Sequence, residues 1–80
     1  MKFSALFKSD ETPLEFAPEE FDQVQKIANQ ILNGGEAIVD LTQLTKEDAK
    51  RTTDFLSGLI YAIDGKVKKI GRLRYHFFPS

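Results

Sequence analysis

Three consecutive apolar residues, Ala37-Ile38-Val39, stand between two stretches whose apolar positions recur every three to four residues. A strand sends alternate side chains to opposite faces, so a run that is apolar throughout predicts a strand covered on both faces. In the stretch before it, Phe21, Val24, Ile27, Ala28, Ile31 and Leu32 fall on one helical stripe. Asn33-Gly34-Gly35 ends that helix, because glycine enters the left-handed conformation without steric penalty. The stretch after it predicts a helix from about Lys46 to Ala62, with Thr45 as N-cap and Asp48 in the capping-box position. Ala49, Thr52, Leu56, Ile60 and Ile63 form its main stripe. Phe55, Leu59 and Ala62 widen that stripe beyond the about 100° that one packed face requires. The surplus width predicts a second contact surface. Gly58, poor in a helix interior, suits a place where something packs closely.

The remaining elements are strands. Leu14–Ala17 reads as a first strand, closed by Pro18. Asp64-Gly65 is a turn, and Lys66–Ile70 and Leu73–Phe78 are strands joined through Gly71-Arg72. The last strand puts Leu73, Tyr75 and Phe77 on one face and Arg74, His76 and Phe78 on the other. The expected fold class is therefore α/β, in the order β-α-β-α-β-β. It is a two-layer sandwich with two helices on one face of a small mixed sheet, its first β-α-β a parallel crossover. Residues 14–80 form the core domain, and residues 1–13 a short arm.

Eighty residues bury only a modest core. Small domains usually add disulfides, a metal or a partner chain. With no cysteine and one histidine, the first two are not expected, and neither is a cofactor. The apolar residues left on the open sheet face predict a homo-oligomer, most simply a two-fold dimer. No run of about 20 apolar residues is present, so no membrane-spanning helix is expected. A secretory leader is not expected either.

Charge is unevenly placed. Residues 1–40 hold eight acids against three lysines, a balance of −5, and residues 41–80 hold four acids against eight bases, a balance of +4. Five of those bases lie between Lys66 and Arg74, interleaved with Tyr75, His76, Phe77 and Phe78. A basic, aromatic hairpin fits three readings. It can bind nucleic acid through phosphates and stacked bases. It can receive an acidic peptide with apolar anchors. It can also be a charged strand edge that blocks sheet-to-sheet pairing. Within the arm, Phe3, Leu6 and Phe7 share one helical face flanked by Lys2 and Lys8. That face is either a weak membrane contact, effective only when multiplied by oligomerisation, or an ordinary terminus. No nucleophile, phosphate loop or dinucleotide motif stands out, so no enzyme is expected. His76 reads as packed or solvent-facing, and Asp40 as a strand-end cap or turn residue.

The segment from Asp40-Leu41 through Leu44 to the run Ala49-Lys50-Arg51-Thr52-Thr53-Asp54-Phe55-Leu56-Ser57-Gly58-Leu59-Ile60-Tyr61-Ala62, followed by Lys69-Ile70-Gly71, resembles the SepF family of cell-division proteins. The resemblance extends over about Leu14–Pro79 and implies a cytoplasmic adaptor at the division site. Such an adaptor dimerises or polymerises, binds the C-terminal tail of FtsZ and tethers it to membrane, with neither catalysis nor nucleic acid involved. The family's tail-binding positions match Lys69 and Tyr75, and Ile70 and Phe77 would line apolar contacts beside them. Phe55, Gly58, Leu59 and Ala62 would serve self-association. Two departures stand out. The family's last strand is apolar where Arg74 and His76 stand here, which calls for an acid such as Asp40 or Glu15 beside Arg74. Family members also carry an N-terminal amphipathic helix and a long linker, whereas thirteen residues precede Leu14 here.

Overall fold

The computed structural model describes residues 13–79. The elements are β1 (Leu14–Phe16), a 3-10 turn (Phe21–Gln23), α1 (Val24–Leu32), β2 (Ala37–Asp40), α2 (Lys46–Ala62), β3 (Lys66–Gly71) and β4 (Arg74–Phe78). The strands form one mixed sheet in the order β1-β2-β4-β3. β1 and β2 run parallel, with Leu14 opposite Ala37 and Phe16 opposite Val39. β4 lies antiparallel between β2 and β3, with Ala37 opposite Phe77 and Val39 opposite Tyr75. The expected order, mixed sheet and helix layer are all present. Residues 1–12 of the arm, and with them Phe3, Leu6 and Phe7, lie outside the described residues.

Local chemistry sets the element ends. The Gln23 side-chain carbonyl accepts the backbone N–H of Glu19 at 2.6 Å and of Glu20 at 3.3 Å, fastening the turn that leads into α1. Gly34 takes φ of 89° beyond α1, and its N–H donates to the Ile31 carbonyl at 3.0 Å. The Thr45 hydroxyl accepts the Asp48 N–H at 3.1 Å and so caps α2. After α2 it is Asp64, not Gly65, that takes the left-handed conformation. The hairpin differs from the sequence reading. β3 continues through Gly71, and the tight connection is Arg72-Leu73. Leu73 has φ of 60°, a conformation that costs an L-residue about 1–2 kcal/mol. The Leu41 N–H donates to the Leu73 carbonyl at 2.8 Å and holds it there.

The core lies between the helices and one sheet face. Val24, Ile27 and Ile31 of α1 and Leu56 and Ile60 of α2 meet Ala37, Val39, Leu41 and Phe77. Leu32, assigned to the α1 stripe by periodicity, is 57% exposed at the helix end. The expected cover on both sides of β2 is found on one. Ala37 and Val39 are fully buried, while Ile38, pointing to the opposite face, is only half-buried.

Thr52 is also fully buried, and among the described residues its hydroxyl has no hydrogen-bond partner. An orphaned buried hydroxyl costs about 1–3 kcal/mol of desolvation. Thr52→Val keeps the branched shape and removes the oxygen. It is expected to stabilise the fold by about 1 kcal/mol, seen as a melting temperature raised by about 4–8 °C. A lowered melting point would mean that the hydroxyl has a partner.

Candidate partner-binding site

The β3–β4 hairpin positions the basic and aromatic side chains. Lys69 stands opposite Tyr75 and Val67 opposite Phe77, so these four share the helix-side face of the sheet. Lys66 and Lys68 stand opposite Phe78 and His76 on the other face. The basic and aromatic residues therefore divide between two surfaces and do not form one platform. Lys69 is exposed at the edge strand, and Tyr75 is half-buried against the core. The pairing register slips between Lys69 and Gly71, leaving Ile70 in a bulge, 42% exposed. Lys69, Ile70 and Tyr75 thus sit close together on the hairpin.

Phe77 does not join them. It is 2% exposed, enclosed by the core cluster, with its ring 6.4 Å from that of Tyr75. Its expected place among the partner contacts is corrected to a place in the core. Alternation along β4 sends Tyr75 and Phe77 to the same side, but the helices cover only the Phe77 end fully.

On the opposite face Arg74 lies across from Asp40, and its guanidinium reaches Glu15 at 3.7 Å. Arg74 thus has beside it an acid of the kind the sequence calls for. Asp40 accepts hydrogen bonds from Thr42 Oγ1 at 2.6 Å and Thr42 N–H at 2.9 Å, the turn role expected of it. Those bonds, assisted by the Arg74 charge, hold its carboxyl below the usual carboxylate range. The His76 ring stacks on Phe78 with centroids 3.9 Å apart, and its Nε2 lies 2.9 Å from Glu36 Oε1.

The outer side of α2 carries the residues expected to self-associate. Phe55 is 43% exposed, Gly58 and Ala62 are exposed, and Leu59 is half-buried against the core. A Cβ built on Gly58 meets nothing within 4 Å, so nothing in the described chain packs closely there. Phe55 meets the Phe21 ring edge-on at 6.3 Å, and the Arg51 guanidinium lies 4.1 Å over the Phe21 ring. That cation–π contact contributes about 0.5–1 kcal/mol and ties the 3-10 turn to α2. Two features escaped the sequence reading. Tyr61, 86% exposed, lies on α2 one turn beyond Gly58. Leu73, treated as a strand residue, closes a groove with Leu41 and Leu44. It stands at the positive-φ position of the hairpin turn, which no residue pattern encodes.

The family model described as "Cell division protein SepF" matches residues 16–80. The chain belongs to the SepF family. It is 49% identical over 53 residues to the cell division protein SepF of Thermoanaerobacter sp. (strain X514), covering 66% of this chain and 39% of that protein. It is 44% identical over 54 residues to the SepF of Halalkalibacterium halodurans, covering 68% of this chain and 36% of the relative. With the SepF of Pelotomaculum thermopropionicum it shares 41% identity over 63 residues, covering 79% of this chain and 42% of the relative. The chain spans about two fifths of the length of these SepF relatives. Among the described residues, no helix is long and apolar enough to cross a membrane.

Proposed function

We propose that this SepF domain acts in cell division as a non-catalytic adaptor, binding the C-terminal tail of FtsZ on the β3–β4 hairpin and self-associating through α2. The arm at residues 1–13 would give the assembly a membrane contact at the cytoplasmic side of the division site. The observation that supports tail binding is the grouping of exposed Lys69, exposed Ile70 and half-buried Tyr75 on one hairpin. Lys69 supplies attraction for an acidic peptide, and the two apolar side chains supply area that water leaves on docking. Fluorescence anisotropy of a labelled FtsZ tail peptide, titrated at two salt concentrations, tests it. Saturable binding that weakens with salt supports the adaptor role, and no binding at either salt removes it.

Self-association draws on Gly58. A glycine within an exposed helix interior costs about 1 kcal/mol against alanine, and nothing within the described chain offsets that cost. A second helix packed against the Phe55–Gly58–Ala62 face would. Gly58→Ala is therefore expected to act in opposite directions on two measurements. The monomer's stability in urea should rise by about 0.5–1 kcal/mol, while the dimer dissociation constant by sedimentation should increase. An unchanged dissociation constant would place the interface elsewhere.

A further inference from the structure

The turn of the β3–β4 hairpin and the start of α2 enclose a groove of about 520 Å³, within the about 300–1,000 Å³ typical of ligand sites. Lys69, Ile70 and Tyr75 do not line it, so it is separate from the proposed tail site. Its apolar wall is recessed. Leu41 is 2% exposed, Leu44 and Ala49 are half-buried, and only Leu73 stands at the surface. A protruding apolar tip suits insertion into a bilayer, whereas a recess suits a single chain that enters it.

The charge around the recess has one sign. Lys46, Ala49 and Lys50 fall at i, i+3 and i+4 on α2, so both lysines border the helix face that supplies Ala49. Arg72 borders the groove from the hairpin turn. Among the described residues no carboxylate lines it, since Asp48 pairs with Arg51 at 3.4 Å and Asp54 meets Lys50 at 3.1 Å from outside the groove. An apolar recess flanked by cations alone is complementary to an alkyl chain that ends in one anionic group. From Lys46 to Thr53 the α2 wall runs roughly 10 Å at the helical rise per residue, the reach of a medium-length chain. We propose that the groove binds a medium-chain fatty acid, with its alkyl chain against Leu41, Leu44, Ala49 and Leu73 and its carboxylate held by Lys46 and Arg72.

The test titrates octanoate, below its micelle concentration, into the isotopically labelled 80-residue chain and follows backbone amide shifts. The expected result is saturable shifts clustered at Leu41, Leu44, Ala49 and Leu73, with none from acetate. The uncharged analogue 1-octanol should bind about tenfold more weakly, and Lys46→Glu/Arg72→Glu should weaken octanoate about tenfold or more. Both substituted sites are exposed, and Glu suits the first turn of a helix, so the variant keeps its fold, as its melting curve should show. Shifts that never saturate, or that spread over the exposed Phe55, Tyr61 and Val67, would overturn the site. Equal affinity in the variant, or 1-octanol binding as tightly as octanoate, would remove the carboxylate's role and overturn the proposal. Binding to vesicles of anionic phospholipid without any octanoate shift would make this face a membrane contact and overturn it as well. None of these outcomes alters the tail-binding reading at Lys69 and Tyr75.

Discussion

Phe77→Ala is expected to unfold the domain, not to trim a contact surface. The ring is 2% exposed and touches the cluster that joins both helices to the sheet. Truncating a buried phenylalanine costs about 3–5 kcal/mol in lost transfer energy and residual cavity. Whole domains hold only about 5–15 kcal/mol, and one of 80 residues sits toward the low end. The far-ultraviolet signal of the variant should be largely lost near 37 °C, or melt with little cooperativity. Val67→Ala is the control, since Val67 lies opposite Phe77 on the same face but is 44% exposed. It should leave a cooperative melt. If Phe77→Ala melted within a few degrees of the parent and lost only peptide binding, its ring would have to face a partner after all.

The second large effect concerns binding. Lys69→Glu reverses an exposed charge and is expected to weaken FtsZ-tail binding about fivefold, near 1 kcal/mol. Tyr75→Ala removes an aromatic anchor, which is typically worth about 2 kcal/mol or more at the centre of an interface. Together they should reduce affinity by about two orders of magnitude, with the salt dependence flattened. Tyr75 is half-buried, so the double variant's melting curve must be read beside its anisotropy curve. A cooperative melt with lost binding places the site on the hairpin. A cooperative melt with retained binding moves it elsewhere.

The element order was legible because each element carries its own period and its own stop. α1 shows both, with Val24, Ile27, Ala28 and Ile31 buried and Gly34 at the left-handed exit. Asp40 and Thr45 were legible for a similar reason, since their hydrogen bonds reach two or three residues along the chain. What escaped depends on contacts distant in sequence or on backbone angles. Alternation could pair Phe77 with Tyr75 but could not say where along β4 the helix layer thins. The turn at Arg72-Leu73 was misplaced by one residue because the obvious glycine, Gly71, belongs to β3 while a leucine takes the strained position. The groove was hidden for the same reason.

The strand order turns the uneven charge of the sequence into geometry. β1 and β2 belong to the acidic half of the chain, and they occupy one side of the sheet. β4 and β3 belong to the basic half, and they occupy the other. On the face without helices, Glu15 and Asp40 lie toward one flank, with Lys66 and Lys68 at the opposite edge. This sheet face thus separates acidic from basic side chains across its strands, although the net charge of the chain is only −1. A charged body approaching within about one screening length, roughly 8 Å at physiological salt, is turned by that field before it touches anything. Orientation on encounter is therefore set by the topology of the sheet and fades as ionic strength rises.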